Sequence, residues 1–319
     1  MIEVSHLTKR YGAHTAVSDL SFSIEDGQIY GFLGPNGAGK STTMNIMTGC
    51  LAASSGEVKI DGHDIFEESY EAKRLLGYLP EQPPLYLDRT PLEYLGFVGR
   101  AKGLSKSALD EQIERVMSVT QITDVSNRLI KNLSKGYRQR VGIAQALLGD
   151  PKVVILDEPT VGLDPIQIIE IRDLIKDLGR EHTVILSSHI LSEVQAVCQT
   201  ILIISKGKLV ACDTAENLER LFAGTAAVEL MVEAPAEMAQ SLLAGLGHIT
   251  ALLAEPLAGD RCSIKLETDT QDGEGICREC FRIFSRADLP ILRMDTTRAS
   301  LEDIFIELTG DNRKEAEEA

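Results

Sequence analysis

Short apolar runs alternate with helical periodicities along the first two-thirds of the chain. Residues 29–33 (IYGFL), 153–156 (VVIL), 184–186 and 201–204 are unbroken apolar stretches too short for helices. Such runs predict strands of a parallel sheet covered on both faces. Between them, Lys40 to Thr48 has a helical pattern stopped by Gly49, and Val58 to Ile60 is a short strand ending at the Asp61-Gly62 turn. Thr90-Pro91-Leu92-Glu93 predicts a helix start, with Thr90 as N-cap, Pro91 in the first turn and Glu93 reaching back. A second helix is predicted over 105–119, where Ile113, Val116 and Met117 share a face, and a third opens at Pro165. This alternation predicts an α/β domain around a mainly parallel sheet, ending near residue 222, with a helical subdomain over about 90–145.

The pattern then changes. Residues 227–233 and 261–267 alternate apolar and polar, 248–253 and 290–294 suit strands, and 235–246 and 275–286 suit helices. The order β-α-β-β-α-β over residues 225–310 predicts a small α+β domain of the ferredoxin-like split type. Ser300-Leu301-Glu302-Asp303 reads as a capped helix start whose Leu301, Ile304, Phe305 and Leu308 form one apolar face, and residues 311–319 read as a charged, frayed tail.

Composition narrows the function. The 319 residues allow about two domains at ~150 residues each. Against 48 Asp and Glu there are 32 Lys and Arg, a net charge of −16. A chain this acidic lacks the dense basic face that phosphate neutralisation needs, so nucleic acid is not an expected partner. No apolar run is long enough to span a bilayer, and the amino end lacks an apolar signal core, so a cytoplasmic location is expected. Of the six cysteines, only Cys277 and Cys280 have a suggestive spacing. One such pair without a second pair or a neighbouring histidine is a weak zinc or redox signal, and free thiols in a reducing compartment are expected.

One segment carries specific chemistry. Gly34-Pro35-Asn36-Gly37-Ala38-Gly39-Lys40-Ser41 fits G-x-x-x-x-G-K-[ST], and it lies between a predicted strand and a predicted helix. Glycines let backbone N–H groups converge on an anion, and the helix directs its positive end to the same point. Lys40 reaches the β- and γ-phosphates and the Ser41 hydroxyl is placed for Mg²⁺. Asp157-Glu158 closes the VVIL run. Carboxylates at the carboxyl end of a central parallel strand face the ligand crevice of an open α/β sheet. There Asp157 suits Mg²⁺, through water, and Glu158 suits polarising the attacking water.

With these residues in place, residues 1–222 resemble the ATP-binding subunit of an ABC (ATP-binding cassette) transporter, of the exporter-type bacterial subgroup. The further markers follow in the family's order. Tyr11 in LTKRYG is placed like the aromatic that stacks on adenine, and Gln82 in YLPEQPPLY like the glutamine that contacts Mg²⁺ and the attacking water. Leu133 to Gln139 (LSKGYRQ) resembles the signature that opens a helix, Gly162-Leu163-Asp164 the loop after the magnesium strand, and His189 the switch histidine at the γ-phosphate. The resemblance implies a P-loop NTPase cassette fold. It implies ATP held by Tyr11, Gly34 to Ser41, Thr42, Ser134, Gly136 and Asp164, and catalysis by Glu158, His189, Gln82 and Lys40. It also implies Mg²⁺ at Ser41, Gln82 and Asp157, a second ATP-binding subunit, and a separately encoded integral membrane permease on whose cytoplasmic face the chain sits. Lys135-Gly136-Tyr137 departs from the family's commonest Gly-Gly-Gln, but Ser134 and Gly136, which cap the helix and permit close backbone approach, are retained. The apolar loop Pro83 to Leu87 either lines a groove for a membrane partner or is buried within the domain. Alternatives are an importer subunit and a soluble ATPase acting on ribosome or DNA. One phosphate loop and no sustained heptads over 90–145 weigh against the latter.

Overall fold

From the amino end, two long strands, β1 (Ile2–Tyr11) and β2 (His14–Ile24), form a hairpin, and β3 (Ile29–Leu33) runs into the phosphate loop and α1 (Lys40–Met47). There follow β4 (Ser55–Ile60), β5 (His63–Asp64), α2 (Ser69–Arg74) and β6 (Leu76–Leu79). The helical stretch is α3 (Pro91–Ala101), α4 (Lys106–Val119) and α5 (Lys135–Leu147). Then β7 (Val153–Asp157), α6 (Pro165–Leu178), β8 (Thr183–Ser188), α7 (Leu191–Val197), β9 (Thr200–Ser205) and β10 (Lys208–Asp213) complete the first unit, Met1–Thr214. This computed structural model describes residues 1–222, 226–270, 272–297, 305–306 and 308–309.

The apolar runs pair as expected. β9, β3, β8, β7 and β6 are mutually parallel neighbours, and β10 lies antiparallel on β9. Every residue of β3 and β7 is buried. A second, antiparallel sheet has the order β2-β1-β4-β5; of its strands only β4, over Val58–Ile60, is anticipated in the sequence. One core fills the space between the sheets: Ile2, Val4 and Leu7 of the first face Phe32, Ile155 and Ile185 of the other, with Met44 and Met47 of α1 between them. At ~25 cal/mol per Å² of apolar area removed from water, this burial dominates the unit's stability.

The helix starts are set by local chemistry. Thr90 Oγ1 accepts from Glu93 N (3.2 Å) and Glu93 Oε2 accepts from Thr90 N (3.0 Å), a complete capping box at α3. Ser134 caps α5 by accepting from Tyr137 N, and Asp164 caps α6 by accepting from Gln167 N. At the other end of α5, Lys102 Nζ donates to Leu148 O at 2.5 Å and lies 3.4 Å from the carbonyls of Gln145 and Ala146. These are terminal carbonyls with no partner inside the helix. Lys102→Ala is therefore expected to cost about 1 kcal/mol. That is a fall of about 2–4 °C in the unfolding midpoint for a unit of this size, read by calorimetry.

The second unit starts at Ala215, so α8 (Ala215–Phe222) groups with it and not with the first domain where the sequence reading placed it. It continues with β11 (Ala227–Val232), α9 (Ala236–Leu243), β12 (Ile249–Leu257), β13 (Arg261–Thr268), α10 (Gly273–Arg286) and β14 (Ile291–Thr297). The sheet is antiparallel, of order β12-β13-β11-β14. With the β-α-β-β-α-β chain order this is the ferredoxin-like arrangement. Val228, Leu230 and Val232 of β11 and Ile264 and Leu266 of β13 form a core with Ile276, Cys280 and Phe284 of α10. All six cysteines are free, and burial pushes the Cys280 thiol up to about 12. Of the helix expected from Ser300, residues 305–306 and 308–309 are described and helical; its start and the tail at 311–319 fall outside the described residues.

Candidate active site

The loop after β3 is shaped by two close approaches. A Cβ on Gly34 would lie 2.3 Å from Ile204 O, so the loop leaves the sheet pressed against β9. Gly39 has φ +104° and a Cβ there would sit 2.6 Å from Ala16 O. Only glycine meets both demands. The first turn of α1 follows at once. Thr43 turns inward, its Oγ1 donating to Gly39 O (2.9 Å), and Ser41 and Thr42 are left half-buried on a cavity wall.

Lys40 is almost fully buried and lies back along the loop. Its Nζ donates to Gly34 O (2.7 Å) and Pro35 O (3.3 Å) and stands 3.7 Å from Glu158 Oε1. Burial pulls its pKa below the usual lysine range, against the opposing pull of the Glu158 and Asp157 carboxylates.

β7 delivers the two acids in different ways. Asp157 is buried at the strand end and accepts from Ser187 Oγ on β8 (2.7 Å). Glu158 leaves the strand at φ +48°, a left-handed conformation costly for a non-glycine residue. That turn carries its carboxylate to His189, whose Nδ1 stands 3.1 and 3.0 Å from the two oxygens and donates to them. The carboxylate neighbour sets the tautomer, since only a protonated Nδ1 can bond there. Lys40 and His189 thus converge on one carboxylate at the carboxyl ends of β3, β7 and β8.

A cavity of about 480 Å³ opens over this cluster. Tyr11, Asn36, Gly37, Gly39, Lys40, Ser41, Thr42, Glu158 and His189 line it, as the sequence implied. Gly34, Pro35 and Ala38 belong to the loop behind it, and Asp157 lies beneath. The other four assigned residues do not line it either. Ser134, Gly136 and Asp164 lie together elsewhere on the unit, where a Cβ on Gly136 would fall 2.7 Å from the Gln167 side chain. Gln82 lines a neighbouring groove of about 400 Å³, and it is Glu81 that faces the cavity. Glu81 lines that groove as well and is shared by the two, whereas Gln82 lines only the groove. His14, opposite Tyr11 in the β1–β2 hairpin, is a second lining residue with no motif to reveal it.

The donor set suits magnesium. Among the described residues no group of three or more His, Cys, Asp or Glu side chains has metal-binding geometry. A hydroxyl on Ser41 with carboxylates nearby is instead the sparse, hard-oxygen site that Mg²⁺ shares with substrate phosphates and water.

Relatives decide what class of molecule this is. The ABC transporter profile matches residues 17–161. Over 324 aligned residues the chain is 36% identical to an ABC transporter ATP-binding protein, YhcH, of Bacillus subtilis strain 168, covering 100% of this chain and 99% of that protein. The chain belongs to the ABC transporter ATP-binding family. Its first unit is an ABC cassette that binds and hydrolyses ATP. The chain is also 30% identical to the linearmycin resistance ATP-binding protein LnrL of the same organism, over 97% of this chain and 98% of the relative. A solved dimeric ATP-binding cassette in a post-hydrolysis state with ADP and Pi superposes with TM-score 0.61 at 25% identity, covering 67% of this chain and 98% of that one.

Proposed function

We propose that the cassette powers export through a separately encoded membrane permease, on whose cytoplasmic face it sits, and that two cassettes close on two ATP molecules. The observation that carries the catalytic half is the convergence of Lys40 and His189 on Glu158. A terminal phosphoryl group entering the cavity competes with Glu158 for the Lys40 ammonium and the His189 N–H. The Glu158 carboxylate is then freed to orient and deprotonate water. Tyr11 offers an exposed ring for the base, with Lys9 Nζ 5.2 Å from the ring centroid. Ser41, with Asp157 through water, would hold Mg²⁺, which would supply charge neutralisation at the phosphate oxygens.

Ser134, Gly136 and Asp164 lie away from the chain's own phosphate loop, which supports their use on the nucleotide of a second cassette. Ser134, as N-cap of α5, combines a hydroxyl with a helix N-terminus, a ready anion site. Lys135 reaches over Gly162, so its charge lies beside the same surface.

Among the described residues no helix is long and apolar enough to cross a membrane. The loop after β6 is not buried: Tyr86 and Leu87 are each 48% exposed, and Phe97 is 47% exposed with its ring 5.3 Å from that of Tyr86. This apolar surface beside the Gln82 groove suits a helix of the permease. Export is supported by the resistance role in the name of LnrL. The test is copurification in mild detergent: a membrane protein is the expected companion, and recovery of ribosomes or DNA instead overturns the reading.

Glu81 takes the metal and water role that the sequence reading gave to Gln82. Glu81→Ala is expected to slow hydrolysis about 10–100-fold and to raise the Mg²⁺ concentration needed for half-maximal rate. Gln82→Ala is expected to leave both within about threefold. Magnesium titrations of the two variants check the assignment, and the reverse ranking contradicts it.

A further inference from the structure

One buried carboxylate takes no part in the chemistry above. Glu193, in the first turn of α7, is 3% exposed, deep beneath the catalytic loops. Its Oε2 accepts from two hydroxyls: Thr160 Oγ1 at 2.6 Å and Ser188 Oγ at 3.1 Å. Thr160 is 5% exposed and Ser188 fully buried, so no solvent competes for these bonds. Ser188 Oγ in turn accepts from Ile190 N at 3.1 Å.

The placement of the two donors gives the arrangement its meaning. Thr160 lies two residues after Glu158, on the loop leaving β7. Ser188, the last residue of β8, immediately precedes His189 at the start of the loop. One oxygen atom therefore ties together the two loops that carry the general base and the histidine facing it. Glu158 sits at φ +48°, a conformation that reverts unless its surroundings hold it. The tie is anchored from below, because α7 packs on the central strand at Gly31, where a Cβ would fall 2.2 Å from Val194 Cγ1.

We infer that Glu193 is a positioning residue for ATP hydrolysis, holding the Glu158 and His189 loops at one fixed separation. The inference rests on the hydrolytic roles proposed for those two residues. A buried acceptor with two hydroxyl donors fixes geometry more tightly than packing, since each loop shifted away leaves a buried polar group unpaired. Displacement of a reacting group by ~1 Å costs about 10²-fold in rate, whereas ATP affinity is set mainly by Lys40, Tyr11 and the phosphate loop.

The experiment measures kcat, ATP affinity with a fluorescent ATP analogue, and unfolding midpoint for Glu193→Ala, Glu193→Gln, Thr160→Val and the Glu193→Ala/Thr160→Val double variant. Glu193→Ala is expected to lower kcat about 10–100-fold with ATP affinity within about threefold of the parent. Glu193→Gln keeps an oxygen acceptor and is expected to recover most of that loss. Thr160→Val, nearly isosteric, is expected to lower kcat without a fall in the midpoint, and the double variant to be no slower than Glu193→Ala. An unchanged kcat in Glu193→Ala, a parallel fall of kcat and ATP affinity, or strictly additive effects in the double variant overturns the inference. The parent's own rate, measured alongside, reports separately on the hydrolytic reading, and the ratio of variant to parent reports on Glu193.

Discussion

Glu158→Gln is expected to slow ATP hydrolysis by about 10²–10⁴-fold, the usual contribution of a positioned general base, and to leave ATP binding intact. The amide is nearly isosteric and can still accept from His189 Nδ1, so the bridge between the two loops survives. What is lost is the charge that takes up the proton from water. Lys40 then stands 3.7 Å from a neutral group instead of a carboxylate, which favours its engagement with phosphate. Rapid-quench hydrolysis and nucleotide titration separate the two effects. A Glu158→Gln protein that turns over at the parental rate removes Glu158 from the mechanism.

Lys40→Ala is expected to have the opposite signature, a loss of binding as well as of turnover. Its ammonium lies on the floor of the phosphate loop and is already desolvated, since burial pulls its pKa downward. Desolvated charge is worth more to an incoming phosphate than exposed charge, because nothing is left to strip from it. Loss of one such group costs about 10²–10³-fold in rate. The fold itself should persist with a lowered melting point, because Glu158 loses one buried partner but keeps His189 Nδ1. Titration with a fluorescent ATP analogue, with a thermal melt as control, reads the outcome. Normal turnover contradicts the placement of the nucleotide on this loop.

The parts of the fold that were legible share a physical cause. β3, β7, β8 and β9 are buried on both faces, so their sequences carry no polar interruption and read directly as strands. Thr90, Ser134 and Asp164 are N-caps whose side chains satisfy orphan amides, a strictly local interaction visible within four residues. The β1–β2 hairpin escaped because its strands are buried on one face only and their pairing shifts register after Val4, Leu7 and Lys9, which breaks the expected alternation. In the site, the motif residues Lys40, Ser41, Glu158 and His189 meet around one cavity because strand order brings the ends of β3, β7 and β8 side by side. Residue type alone points to Gln82, which lines the neighbouring groove and not the cavity. Glu81 is the residue that faces the cavity, and a direction is set by the bend after β6, not by the letter at a position. Glu193 was invisible for a similar reason: a glutamate in the first turn of a helix reads as a solvated charge near the helix dipole. Its burial depends on two hydroxyls that lie 33 and 5 residues away.

ATP, through its terminal phosphoryl group, is proposed to hold two cassettes together. ADP offers the same base, ribose and first two phosphates, so any difference between the two nucleotides belongs to the group that Lys40, His189 and the partner's signature surface are proposed to share. Sedimentation velocity on the Glu158→Gln protein with magnesium reads this most directly. A species of twice 34.8 kDa is expected with ATP and one of 34.8 kDa with ADP. One and the same mass with both nucleotides contradicts the proposal.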